Sequence, residues 1–183
     1  MKFPENRRVA WVVLGVCAVV SVFGLGGVKM SSEHAKVRDV FTQGIEVSDG
    51  TQHSMRAYLQ RAARSASLMA QEGTVYLGDD NAECKRVAEL ADDILSEKNG
   101  SEAYAQLSDA IENLYTALEK KKLTDAQFVN AKGAYRDFRS AANLIKNDDY
   151  HALALEYNNR TDGFPASVIR GIYGIGALET YGW

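Results

Sequence analysis

The chain has 183 residues, 46% hydrophobic and 25% charged, with two prolines, two cysteines and a formal net charge of −3. That length sets one folded domain as the prior, and Cys17 and Cys84, placed so far apart, exclude a disulfide framework or a thiolate metal site. Residues 1–29 hold Lys2, Arg7, Arg8 and Lys29 against Glu5, leaving 17 basic and 23 acidic residues for the remainder; an acidic domain without a basic face is a poor nucleic-acid binder, because phosphate contacts supply most of that affinity, and no nucleic-acid partner is expected.

Residues 1–8 (MKFPENRR) form a short basic N-terminus. From Val9 to Val28 (VAWVVLGVCAVVSVFGLGGV) twenty residues pass without a charge. At ~1.5 Å per residue they extend about 30 Å, the thickness of a bilayer core. The run is long for the apolar region of a cleaved signal and lacks an Ala-x-Ala site, so a retained transmembrane helix is expected. Its direction is left open by near-equal flanks, Lys2, Arg7 and Arg8 on one side against Lys29, Lys36 and Arg38 on the other.

The charged stretch 29–39 can extend this helix. Val37, Val40, Phe41 and Ile45 then continue a helical stripe. Ser48-Asp49-Gly50 marks a break, with Asp49 as a candidate N-cap. Residues 51–72 place Met55, Tyr58, Leu59, Ala62, Ala66 and Met69 on one face. Arg56, Arg61 and Arg64 read as a solvated surface. Residues 73–80 (GTVYLGDD) read as a loop whose Asp79 or Asp80 caps the next helix. In that helix, 81–98, the apolar stripe is Cys84, Val87, Ala88, Ala91, Ile94 and Leu95. Asn99-Gly100-Ser101 predicts a glycine stop followed by a serine cap. Residues 102–121 carry Tyr104, Leu107, Ile111, Leu114 and Leu118 at heptad spacing, too short for a free coiled coil and suited to a bundle seam.

Thr124-Asp125-Ala126-Gln127 has the form of a capping box. The helix it opens keeps Phe128, Ala131, Tyr135, Phe138, Ala142 and Ile145 in register. Asn147-Asp148-Asp149 shifts the phase, so a break or kink is expected before Tyr150, Leu153 and Tyr157 resume the pattern. Asp162-Gly163 closes that helix. Pro165 suits the first turn of another, 166–172. Phe164, between stop and restart, is expected to plug into the bundle. The aromatic, glycine-rich tail (GIYGIGALETYGW) can pack back onto the bundle, lie at a membrane interface or be loose.

No catalytic, cofactor or metal residues are assigned. His34, His53 and His151 lack ligand-spaced partners, and no HExxH, CxxC or EF-hand pattern is present. The acidic pairs Asp79-Asp80 and Asp148-Asp149 sit at helix boundaries, where capping explains them. Gly171, Gly174 and Gly176 lack the preceding strand of a dinucleotide fold. Ser65 and Ser67 have no nearby histidine. Asn99-Gly-Ser101 and Asn159-Arg-Thr161 match a glycosylation pattern but fall at helix ends. The series Tyr135, Phe138, Tyr150, Tyr157 and Phe164 reads as core before it reads as a ligand box.

One spacing is distinctive. Tyr150, Tyr157-Asn158, Phe164-Pro165 and Ser167-Val168-Ile169-x-Gly171-x-x-Gly174 together resemble the C-terminal signature of the LemA family, over about residues 138–174. The anchor-plus-helices layout ahead of it is also similar. The chain departs from that family at Met55–Arg64 (MRAYLQRAAR), where an Asp-Leu-Ile-Pro-Asn-like stretch is usual. The resemblance implies a bacterial single-pass membrane protein with an antiparallel helical bundle. It implies no agreed enzymatic activity and no catalytic residues, and an N-terminus commonly outside.

The expected fold is therefore all-α, a transmembrane helix followed by an antiparallel bundle of about four helices. The divisions are 1–8, 9–28, a LemA-like bundle over 30–164, and a short helix with its tail over 165–183. The expected function is that of a non-enzymatic interaction or scaffold module. It would be held in a bacterial cell membrane through Val9 to Val28, with a protein partner or a second copy. A sensor holding a small ligand near Tyr135, Tyr150 and Tyr157 is the alternative.

Overall fold

The computed structural model describes residues 7–46, 52–96 and 100–181. Its elements are α1 (Arg7–Gln43), a two-residue antiparallel pair β1 (Ile45–Glu46) and β2 (Gln52–His53), then α2 (Met55–Leu77), α3 (Ala82–Leu95), α4 (Gly100–Lys120), α5 (Asp125–Lys146), α6 (Tyr150–Thr161) and α7 (Ala166–Tyr173). The fold is all-α, with a long apolar N-terminal helix followed by a helical bundle, as the periodicity predicts. The chain divides into two compact units. One contains residues 1–39 and 152–178, the other residues 40–151 and 179–183.

The second unit is the bundle. α2 is its central helix, packing against α3, α4 and above all α5. Its inward face is rich in alanine, with Ala62, Ala63, Ala66 and Ala70 buried, and α5 answers with Ala131, Ala134 and Ala141. Small residues on both faces let helix axes approach closely. The bulk comes from α4, whose Leu107, Ile111, Leu114 and Leu118 are fully buried. Each such side chain contributes roughly 1.5–3 kcal/mol relative to exposure.

Helix ends in this unit follow local chemistry, and several differ from expectation. Gly44 ends α1 with φ 83°, its N–H donating to Val40 C=O. Ile45 therefore lies in β1 and does not continue the helical stripe. Ser54 caps α2: its Oγ accepts from Ala57 N–H at 3.4 Å and donates to the Phe41 and Thr42 carbonyls at 3.0 and 2.9 Å. Asp49, the expected cap, lies outside the described residues.

The predicted loop 73–80 is mostly helix, because α2 runs on to Leu77 before Gly78 stops it. Gly73 is a packing position. A methyl group there would meet Cys84 Sγ at 2.7 Å and Leu114 Cδ1 at 3.2 Å. Asn81, and neither Asp79 nor Asp80, caps α3, its Oδ1 accepting from Glu83 and Cys84 N–H at 3.1 Å each. α3 buries Leu90, while Ala88 and Leu95 of the predicted stripe face outward. Gly100 and Ser101 lie inside α4 and do not form a stop and a cap. The capping box at Thr124 is complete, with Thr124 N–H donating to Gln127 Oε1 at 3.0 Å. The break before Tyr150 is present: α5 ends at Lys146, and Asp148 Oδ1 accepts from Tyr150 N–H at 2.8 Å.

The first unit combines the N-terminal part of α1 with the chain from Ala152 to Leu178. α1 continues without interruption from the apolar run through the charged residues that follow. Its core is Met30, Tyr157 and Ile169, with Phe23, Val37, Ala166, Ile175 and Leu178 packed around them. Pro165 opens α7, and Gly174, in the left-handed region at φ 63°, ends it. Phe164 is 85% exposed, so it is no plug. The buried apolar residue of this segment is Ile169 of α7, packed with Met30 and Tyr157.

Candidate functional site

In α1 an exposed apolar surface runs through Val9, Trp11, Val12, Val13, Leu14, Val16, Val19, Val20, Val22, Leu25 and Val28. None of the most apolar 18-residue window is buried within the protein. A helix this long and this apolar could cross a membrane. In water it would present a contiguous apolar patch far larger than soluble proteins carry.

At the end of this run α7 packs closely. A methyl on Gly26 would stand 3.0 Å from Ile169 Cδ1, and one on Gly27 would overlap the Tyr173 ring. The two glycines thus form a seat in which any larger residue would have to displace the Ile169 methyl or the Tyr173 ring. Further along α1, Glu33 pairs with Arg160 of α6. His34 stands edge-on to the Tyr157 ring, centroids 5.5 Å apart. Burial, with the charges of Arg38 and Arg170 adding to it, lowers the His34 pKa below its ordinary value. Burial likewise raises that of Tyr157. The Tyr157 hydroxyl is buried and has no hydrogen-bond partner among the described residues. Arg170 is directed at α6, donating to Thr161 Oγ1 at 3.2 Å and to Asp162 Oδ1 at 3.0 Å.

The tail is ordered by the two units at successive residues. In the first unit Asn158 treats Leu178 as a strand partner: its Nδ2 donates to Leu178 C=O and its Oδ1 accepts from Leu178 N–H, both at 2.9 Å. In the second, Tyr150 Oη donates to Glu179 C=O at 2.9 Å. Burial, reinforced by the Glu179 carboxylate, pushes the Tyr150 pKa up to about 12, so the hydroxyl stays a donor through the physiological range. The Glu179 carboxylate accepts the Ser101 N–H at 3.2 Å. A carboxylate at a helix N-terminus satisfies an orphan donor and complements the dipole. Tyr181 is buried, stacked on Phe41 and edge-on to Tyr104. His151 is a satisfied core histidine: Nε2 donates to Ile145 C=O at 2.8 Å and Nδ1 accepts from Tyr181 N–H at 3.5 Å.

The bundle has a cleft of about 550 Å³ lined by Ile45, Tyr58, Ser140, Asn143, Leu144, Asn147, Asp148 and Asp149. Neither Tyr135 nor Tyr150 lines it. Tyr135 stacks on Tyr115 with centroids 4.0 Å apart and donates to Glu112 Oε2 at 2.6 Å. Tyr157 belongs to the core of the first unit. Of the three arginines read as a solvated face, Arg61 and Arg64 are exposed, while Arg56 is half-buried beside Phe41, Gln60 and Tyr181. The Thr161 hydroxyl of the glycosylation pattern is buried and donates to Tyr157 C=O at 2.9 Å. Cys84 is buried, and burial raises its thiol pKa, the setting of an inert apolar cysteine. Among the described residues no cluster of three or more His, Cys, Asp or Glu could hold a metal ion.

Two features were invisible to sequence reading. The Gly26-Gly27 seat looks like part of any apolar helix, and Glu179 lies 78 positions from the N–H it satisfies. No known family, curated protein or solved structure matches this chain.

Proposed function

We propose that this chain is a single-pass bacterial membrane protein, a divergent relative of the LemA family, whose helical bundle acts as an interaction or scaffold module. The observation that carries the reading is the apolar surface of α1, which remains exposed in the folded chain. Covering it with lipid removes the cost of leaving some twenty apolar residues in water. Support for the family comes from the Tyr150-to-Gly174 spacing, whose Tyr150, Tyr157 and Ile169 are buried and whose Asn158 holds the tail. In the interaction reading the bundle is a tethered surface and its partner is a protein or a second copy. Proximity labelling from both sides of the membrane tests this. A discrete set of neighbours labelled from one side is expected, and a monomer with no neighbour above background would sink the scaffold reading.

The cleft lined by Tyr58, Ser140, Asn143 and Asn147 favours a second reading, a sensor for a small polar molecule. Its volume lies within the range of small-molecule sites. A ligand that binds only the folded chain raises its melting temperature by mass action. A broad metabolite screen without a shift would remove this reading.

A further inference from the structure

The first unit leaves one apolar face uncovered besides that of α1. α7 buries Ile169, while Val168 and Ile172 are 44% and 65% exposed, and Phe164 just ahead of it is 85% exposed. Val168 and Ile172 stand four apart within α7, while Phe164 lies in the turn just ahead of its Pro165 cap. A spacing of four places side chains along one face of a helix. The sole basic residue of α7, Arg170, is turned away to Thr161 and Asp162. α7 therefore keeps an uncovered apolar side, Val168 and Ile172, in addition to the buried Ile169.

Its depth is fixed by what it rests on. Tyr173 packs on Gly27 and Ile169 on Gly26. Gly27 immediately precedes Val28, the last apolar residue before Lys29, so the seat lies within about 3 Å of the end of the run along the helix axis. With eight residues α7 is far too short to span a bilayer. A short helix with an uncovered apolar side at that level suits the boundary between headgroups and acyl chains.

We infer that α7 is an interfacial helix, with Phe164, Val168 and Ile172 inserted into the lipid leaflet that borders the end of the apolar run of α1. This rests on the membrane-anchor reading of α1. The occupant is lipid because α7 is seated on Gly26 and Gly27, at the end of the apolar run of α1 whose exposed side chains call for lipid themselves. Insertion here does three things: it covers Phe164, gives the anchor a second point of attachment and limits rotation of α1 about its own axis.

Spin-label accessibility in the full chain, reconstituted into phosphatidylcholine–phosphatidylglycerol nanodiscs, tests this. Native Cys17 in a Cys84→Ala background reports on the anchor. Ile172→Cys and Val168→Cys, each with Cys17→Ala and Cys84→Ala, report on α7, and Val129→Cys in the same background supplies an exposed bundle reference. The expected result is a ratio of oxygen to nickel-chelate accessibility at residues 172 and 168 several-fold above that at 129, approaching that at Cys17. A lipid-like ratio at Cys17 with water-like ratios at 168 and 172 overturns the interfacial helix and leaves the anchor standing. A water-like ratio at Cys17 overturns the anchor and the interfacial helix with it. Dipolar broadening between labels at 172 with low oxygen accessibility identifies a second copy as the occupant and also overturns the proposal.

Discussion

Gly73→Ala is the most discriminating single substitution in the bundle. In an exposed helix the change stabilises, since alanine exceeds glycine in helix propensity by about 0.8–1.0 kcal/mol. In a loop with room around it the effect is close to zero. Gly73 is instead buried in α2, and the new methyl would stand 2.7 Å from Cys84 Sγ and 3.2 Å from Leu114 Cδ1. Leu114 is fully buried and Cys84 nearly so, so neither atom can swing into solvent. Overpacking of a tight core typically costs about 1–3 kcal/mol. Subtracting the propensity gain leaves a net destabilisation of roughly 0–2 kcal/mol, centred near 1. For a unit of this size that lowers Tm by about 4 °C. The assay is thermal unfolding of the full chain in mild detergent, followed by circular dichroism. The sulfur contact makes the reasoning sharper: Cys84→Ala removes the nearest obstacle, so Gly73→Ala in that background should be neutral or stabilising. The coupling is expected near 1 kcal/mol, within the range for contacting residues. A stabilising Gly73→Ala in the wild-type background, or additive effects in the double mutant, would refute the close approach of α2, α3 and α4 at this point.

Phe164→Ala should change the unfolding free energy by less than about 0.5 kcal/mol, because an exposed ring contributes little to folding; a loss of 3 kcal/mol or more in the same melts would restore the buried plug. Asn158→Ala should cost about 1–3 kcal/mol and speed amide exchange at Leu178, because both backbone groups of Leu178 lose their partner; unchanged exchange at Leu178 would contradict it. Tyr157→Phe should be neutral or slightly stabilising in the same unfolding assay, since it deletes a buried hydroxyl without a partner among the described residues, and a loss above about 1 kcal/mol would reveal a partner. For His34 the lowered pKa means the unfolded chain binds its proton first. Its contribution to stability is present above the ordinary value of 6.5 and is lost as pH falls below it. A ring-proton NMR titration with a midpoint at or above 6.5 would contradict this.

The parts of the fold legible in the sequence are those where burial repeats at the helical period. The α4 seam from Tyr104 to Leu118 is buried at every predicted position, because each member faces the same neighbours. The capping box at Thr124 and the break at residues 147–149 were equally legible, since their partners lie within four residues. Phe164 failed for the opposite reason. Hydrophobicity and a position between two helices do not reveal which way a turn aims its side chain, and here the buried residue is Ile169.

Gly73 and Gly100 differ from expectation for a physical reason. A glycine in sequence signals either a backbone conformation other residues avoid or an approach too close for a Cβ, and local pattern cannot separate the two. Gly44 is the first kind, a helix stop at φ 83°. Gly73, Gly27 and Gly100 are the second. At Gly100 the approaching atom is Tyr181 Oη, 3.1 Å from where a methyl would sit. In each of the three the approaching side chain comes from a different helix or from the tail, so the reason for the glycine is nonlocal. Those same contacts position what matters for the proposed function: Gly26 and Gly27 seat α7 on α1, and Gly100 admits Tyr181 next to the α4 N-terminus that Glu179 satisfies.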